Sequence, residues 1–146
     1  MAVELRVEGQ GLKKIQRDLK EFQDGKAIKR ELYKSLRDSA KPLLNDARLA
    51  ARSELPQAGG LAAQVAARPM SVSITQGGVR IRVRGMDARS TNRGRLRHPV
   101  YGNRERWVTQ EIKPEWFTNA MRSNADKVRP DLLRAMDRAA QRIAAS

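Results

Sequence analysis

Residues 71–84 read SVSITQGGVRIRVR and give the clearest structural signal in the chain. In the second half of this stretch aliphatic residues alternate with arginines, the period of two that is typical of a strand with one buried face. The glycine pair in residues 76–78 predicts a tight reversal before that strand. The stretch therefore predicts a β-hairpin. Its inward residues would be Val79, Ile81 and Val83, and its outward residues Arg80, Arg82 and Arg84.

The sequence before the hairpin predicts a strand and then helices. Residues 3–7 alternate valine or leucine with charged residues, which predicts a half-buried strand. Apolar residues at helical spacing follow over 12–22 and again over 28–50. Pro42 lies inside the second helical stripe. Because proline removes a backbone donor and crowds the preceding turn, we expect a kink or a helix restart near Lys41.

The sequence after the hairpin predicts a basic loop and then a final helix. Residues 85–113 contain glycines, a proline and six arginines, and predict an irregular basic loop. Pro114 suits the first turn of a helix, and apolar residues recur at mostly helical spacing over 117–143. Pro130 lies inside this stripe and predicts a division of the helix into two pieces.

The order of these elements predicts a single α+β domain over residues 1–146. No internal repeat and no linker divides the chain. We expect a small, mainly antiparallel sheet made of the N-terminal strand and the hairpin. A long N-terminal helix and a C-terminal helix would pack on this sheet.

Several classes of function lack the residues they need. The chain has no cysteine, and its single histidine, His98, has no second metal ligand nearby. The N-terminal stretch has no apolar core of a signal peptide, and no run approaches the ~20 apolar residues of a membrane span. We therefore expect no metal, no cofactor, no membrane role and no catalytic residue, in a protein made in a cytoplasm.

Positive charge is concentrated in one stretch. The chain has 30 lysine and arginine residues against 16 acidic residues, a net charge of +14. Residues 80–106 hold nine arginines and two acidic residues, so half of the net charge lies in 27 residues. Arginine presents a planar fork that suits phosphate or carboxylate. The candidate residues facing a polyanion or a ring lumen are Arg80, Arg82, Arg84, Arg95 and Arg97.

Two interpretations of this charge stay open. The arginines face a polyanion, most simply passing DNA, or they meet acidic residues of a neighbouring subunit. Sequence-specific readout is not indicated, since the chain shows no recognition-helix pattern, zinc finger or aromatic stacking platform. Outward arginines on the hairpin's second strand would also protect an edge strand from indiscriminate pairing. We interpret Tyr101 and Trp107 as anchors of the basic loop.

A series of short motifs resembles a known family. The loop HPVYG at 98–102 is followed by Trp107 and then by PEWF at 114–117. A glycine-containing turn at 55–61 precedes the hairpin. In this order the motifs and the expected elements resemble the tail-component family of long-tailed bacteriophages, the HK-type gene-product-ten-like neck and tail-completion proteins. The resemblance covers most of the chain.

The resemblance implies a virion structural protein at the head–tail junction or upper tail. Such a protein would assemble as a ring, commonly hexameric, through which the genome passes. Its partners would be copies of itself and the neighbouring head-completion or connector and tail-terminator or tail-tube proteins. No catalytic residue is carried over. The motif positions interpreted as scaffold and interface residues are His98, Pro99, Tyr101, Gly102, Trp107, Trp116 and Phe117.

Three hypotheses of function follow. The first is a non-enzymatic neck or tail-completion protein of a virion, made in the cytoplasm of the bacterial host. The alternative is a small basic nucleic-acid-binding protein that uses the five arginines on phosphates. The third and weakest is a phage-encoded enzyme such as a nuclease, for which His98 would be the only candidate general base.

Overall fold

The computed structural model describes residues 1–6, 11–100 and 103–145, so the expected strand residue Val7 lies outside the described residues. Helices and strands follow one another in an α+β order, which confirms the predicted class. The elements are β1 (Ala2–Arg6), α1 (Gly11–Lys20), α2 (Gly25–Ala40), α3 (Pro42–Glu54), α4 (Leu61–Ala66), β2 (Met70–Ile74), β3 (Gly78–Val83), α5 (Met86–Asn92), β4 (Arg95–Val100), β5 (Asn103–Glu111) and α6 (Trp116–Ala144).

The predicted hairpin is present and forms most of a three-stranded antiparallel sheet in the order β1-β3-β2. Thr75 closes the reversal: its backbone N–H donates to Gly78 O at 2.9 Å, and its Oγ1 accepts the Gly78 N–H at 3.1 Å. Strand β3 is therefore central. The expectation of an edge strand carrying Arg80 and Arg82 is wrong, because β1 and β2 pair with β3 on its two sides.

The two faces of this sheet differ as the alternation predicts. Val79, Ile81 and Val83 are fully buried and join one hydrophobic cluster with residues of all the larger helices. On the opposite face Arg80 is half-buried and Arg82 is exposed, and Arg84 is exposed just after the strand ends. Burial of the aliphatic side chains therefore fixes which face the arginines occupy.

The expected long N-terminal helix runs in two segments, α2 and α3. Lys41 between them keeps a helical backbone, with φ −53° and ψ −37°, and its N–H still donates to Arg37 O at 3.1 Å. Pro42 begins α3, where its missing N–H removes no hydrogen bond. The predicted helix restart near Lys41 is thus confirmed.

The C-terminal helix corrects two expectations. Pro130 lies inside α6 without dividing it, because Val128 and Leu132 on either side are buried and packing against α2 and α3 holds the helix together. Pro114 is outside the helix, which begins at Trp116 after Glu115 in a left-handed conformation at φ 65°. Within the described ranges, no helix has both the length and the apolar character to cross a membrane.

The largest correction concerns residues 85–113, where we expected an irregular loop. This segment forms α5, β4 and β5, and the two strands pair as a separate antiparallel sheet. Strand β5 buries none of its described side chains, so it shows no alternation of buried and exposed residues. The hydrophobic period that marks a strand was therefore missing from the sequence.

Candidate functional site

The most exposed regular element is the ribbon of β4 and β5, called the arm below. Its pairing runs from Arg95 opposite Glu111 to Val100 opposite Asn103, with a register shift between Pro99 and Val100. Every β5 residue whose side chain is described is exposed, and neither strand joins the other sheet. A nine-residue strand extends about 30 Å. Because an isolated two-stranded ribbon is marginally stable in water, the arm needs support from outside its own sheet.

The two strands of the arm are held together at its base by Gly94. This residue has φ 88°, a conformation that side-chain-bearing residues rarely adopt, and its carbonyl accepts the Ile112 N–H at 2.9 Å. A Cβ atom on Gly94 would lie 2.9 Å from the Ile112 carbonyl oxygen. The base therefore requires glycine, and it fixes where both strands leave the core.

Asn92, the last residue of α5, joins the base of the arm to α6. Its Oδ1 accepts the N–H groups of Phe117 and Thr118 at 2.9 and 3.3 Å, and its Nδ2 donates to Thr118 Oγ1 at 3.1 Å. The Glu115 N–H donates to the Asn92 carbonyl at 2.7 Å. The first N–H groups of a helix have no partner within the helix. Here α5 supplies that partner, so the position of α6 sets the position of the arm.

A buried hydrogen bond at the start of α6 adds to this connection. The Trp116 Nε1–H donates to Thr91 Oγ1 at 3.1 Å, and that hydroxyl donates to the Asp87 carbonyl at 2.7 Å. Trp116 is only 3% exposed and Phe117 is fully buried, and their rings meet edge to face at 5.7 Å. Both aromatic residues of the PEWF motif therefore lie in the core beneath the arm.

The N-terminal end of α5 is attached by an ion pair between Arg68 and Asp87. Arg68 Nη2 lies 2.8 Å from Asp87 Oδ2, and Gln64 Nε2 donates to the same oxygen at 2.8 Å. Burial acts to raise the pKa of Asp87. Hydrogen bonds from Arg68, the Ala88 N–H and Gln64, with the charge of Arg68, outweigh burial and hold that pKa below its ordinary value. Ionised Asp87 therefore stabilises the folded position of α5.

We expect the free energy of unfolding of Asp87→Asn to fall less at acidic pH than that of the unmodified chain. Because the pKa of Asp87 is lower in the folded than in the unfolded chain, its contribution is present above about pH 4 and is lost as the pH falls through the folded-state pKa. Urea unfolding at several pH values would measure this. The exposed Asp137→Asn variant controls for the lost charge, and equal pH dependence in the two variants would contradict the prediction.

The arm presents large side chains on both of its faces. Trp107 is 48% exposed and Val108 is 41% exposed, and as neighbours on one strand they point to opposite faces. The Arg97 guanidinium lies over the Trp107 ring, 5.2 Å from its centroid. His98 pairs with Val108 across the strands and is half-buried. Large apolar side chains exposed on both faces of the arm make it a candidate interaction site.

The five predicted arginines are divided between two sheets rather than gathered in one patch. Arg80, Arg82 and Arg84 belong to β3 and its end, whereas Arg95 and Arg97 belong to the arm. Arg80 Nη2 lies 3.9 Å from the Glu4 carboxylate. Of the motif residues, His98 and Pro99 are on β4 and Trp107 is on β5, while Tyr101 and Gly102 lie outside the described residues.

An open cleft of about 340 Å³ lies between α3 and the start of α6. Its apolar wall includes Leu49, which is 59% exposed, and Trp116 forms part of its floor. The Asp46 side chain, also in the cleft, is 15% exposed and forms an ion pair with Lys127. The Lys127 ammonium donates a hydrogen bond to Oδ1 at 3.1 Å and lies 3.0 Å from the buried Oδ2. The cleft thus combines apolar surface with a paired carboxylate.

Sequence reasoning missed the residues that build the site. The run Trp107-Val-Thr109 is typical of strands and was the available signal for β5. Asn92 and Thr91 gave no signal, since their partners are about 25 residues away in sequence. Within residues 1–6, 11–100 and 103–145, no three histidine, aspartate or glutamate side chains converge as metal ligands.

Comparisons of the chain with known protein families, with curated proteins and with solved structures find no match.

Proposed function

We propose that this chain is a virion structural protein of the head–tail junction of a long-tailed phage. It would be a neck or tail-completion subunit that assembles into a closed ring through which DNA passes. The observation that carries the proposal is the arm, which is fixed to its own core at its base but needs further support along β5, where Trp107 and Val108 are exposed. Neighbouring copies around an axis would supply that support.

The rest of the site agrees with a structural role. The arm is fixed at its base by Gly94, Asn92 and the buried Trp116, so it is held in a defined direction. A contact surface held in this way suits an assembly protein, because little ordering is left to be done on binding. The resemblance to the tail-component family implies a hexamer, with the neighbouring connector and tail proteins as further partners. We propose no catalytic activity, metal or cofactor.

The oligomeric state tests this proposal. We expect the purified chain to form a closed oligomer at high concentration in light scattering, and rings in electron micrographs. Tailed virions would contain the polypeptide at the head–tail junction. A monomer at every concentration, even with neck proteins present, would contradict the proposal. So would virions that lack the polypeptide but keep the tail joined to the capsid.

Nucleic-acid binding is the second candidate function. It is favoured by the net charge of +14 and by Arg82 and Arg84, which are exposed on the sheet face opposite the helices. Each phosphate contact releases counterions, so affinity that comes from such arginines falls steeply with salt. A ring subunit that DNA merely passes needs only weak contacts of this kind, whereas a dedicated binding protein needs tight ones.

We expect weak duplex-DNA binding, with a Kd of about 10 µM or more at physiological salt, typical of non-specific contacts. If the four exposed arginines 82, 84, 95 and 97 each meet a phosphate, affinity falls about 10²-fold between 50 and 200 mM salt. Fluorescence anisotropy with Arg82→Ala and Arg97→Ala measures this, with the exposed Arg122→Ala on α6 as the control. Nanomolar binding lost in the first two variants alone would favour the second function.

A further inference from the structure

We propose that the arm of one copy binds in the α3–α6 cleft of the next copy. This inference rests on the ring proposed above and identifies the contact that builds it. The arm and the cleft are different surfaces of one chain, so the contact is heterologous. Repeated from copy to copy, such a contact produces a ring when the rotation closes.

The arm does not occupy the cleft of its own chain. The described residues that line the cleft include none from β4 or β5, and Trp107 and Leu49 are 48% and 59% exposed. These two residues and Val108 are three of the four large apolar residues that are exposed in the described chain, the fourth being Met86. A contact between arm and cleft would bury Leu49 together with the face of the arm that enters the cleft.

The cleft also offers polar partners suited to the arm. Asp46 and Glu54 place two carboxylates in it, beside the polar side chains of Ser53 and Asn119. Residues 95–111 of the arm hold four arginines and two glutamates, so the arm is positive.

Charge distinguishes this cleft from the larger one between α1 and α2. That cleft, of about 660 Å³, is lined by Lys20, Lys26 and Lys29, against the single carboxylate of Asp24. Lysines there would repel the arginines of an incoming arm. The two carboxylates of the α3–α6 cleft, Asp46 and Glu54, are paired with Lys127 at 3.0 Å and with Lys113 at 3.5 Å. A positive arm therefore meets less repulsion in the α3–α6 cleft than in the lysine-lined cleft, and its arginines can replace the exposed Lys113 on Glu54.

Disulfide formation between separate copies tests the contact, and the cysteine-free chain is well suited to it. A Leu49→Cys chain is mixed with a Val108→Cys chain under oxidising conditions. A Gln23→Cys chain, which carries an exposed thiol at the α1–α2 cleft, is the matched control. We expect Val108→Cys to pair with Leu49→Cys at least tenfold faster than with Gln23→Cys. Light scattering of the same mixtures records the oligomeric state independently.

The outcomes separate this inference from the proposed function. A closed oligomer in which Val108→Cys pairs with Leu49→Cys supports both. A closed oligomer in which Val108→Cys pairs equally well with Gln23→Cys, or with neither, overturns the arm-in-cleft contact and leaves the ring in place. A monomer at every concentration, with no disulfide-linked pairs, overturns both.

A second variant tests the cleft without cysteines. Leu49 is 59% exposed, so Leu49→Glu should leave the folded chain intact and place a charge on the apolar wall. We expect at least a tenfold rise in the Kd of self-association, measured by sedimentation. Met86 is 75% exposed and lies outside both the arm and the cleft, so Met86→Glu is the control and should associate like the unmodified chain. Equal association of the two variants overturns the inference.

Discussion

Replacing Trp116 with alanine is expected to lower the free energy of unfolding by about 3–5 kcal/mol, the scale for removing a buried aromatic side chain. The ring is 3% exposed and packs edge to face against Phe117. Its Nε1–H is also the donor to Thr91 Oγ1, so the variant removes a hydrogen bond from a nearly fully buried hydroxyl. Because Trp116 begins α6 beneath the arm, loss of its packing should also loosen the arm's base.

Urea unfolding followed by circular dichroism measures this loss. Trp107→Ala is the matched comparison, since the same side chain is removed from a position that is 48% exposed. We expect that variant to change the free energy of unfolding by less than about 1 kcal/mol, as for other substitutions outside the core. Equal losses in the two variants would show that Trp107 supports the fold, contrary to the structure described above.

The sequence predicted the elements that have one buried face or a proline at a helix start. Val79, Ile81 and Val83 lie inward on β3, and the restart near Lys41 follows from the chemistry of Pro42. In both places a local rule and the tertiary structure act in the same direction. Pro130 shows the opposite case, because packing along α6 overrides the local preference of proline to end a helix.

The candidate site was harder to predict because the side chains of β5 are not buried against the rest of the chain. Strand β5 of the arm has exposed residues on both faces, so its sequence lacks the period of two from which β3 was predicted. The cleft and the Asn92 contacts join elements that are far apart in the chain, and no local pattern encodes them. Composition did indicate the region, since residues 80–106 carry half of the net charge.

Strand β5 has no buried face within the single chain. This is expected if the surface that covers the strand belongs to another copy. Trp116 and Trp107 lie nine positions apart, yet one is in the core and the other is on the arm. This division predicts that one governs folding and the other governs assembly.

Replacing Trp107 with alanine is accordingly expected to weaken self-association by about 2–4 kcal/mol, roughly 30- to 1000-fold in Kd, the scale of an aromatic hot spot. The large rigid ring is 48% exposed, and the Arg97 guanidinium lies over it, 5.2 Å from its centroid. Sedimentation velocity over a range of concentrations measures the effect, with the exposed Met86→Ala as control. If Trp107→Ala associates as strongly as the control, the arm is not part of the interface. If it associates more weakly while its unfolding in urea is unchanged, Trp107 acts in contacts between copies and not in folding.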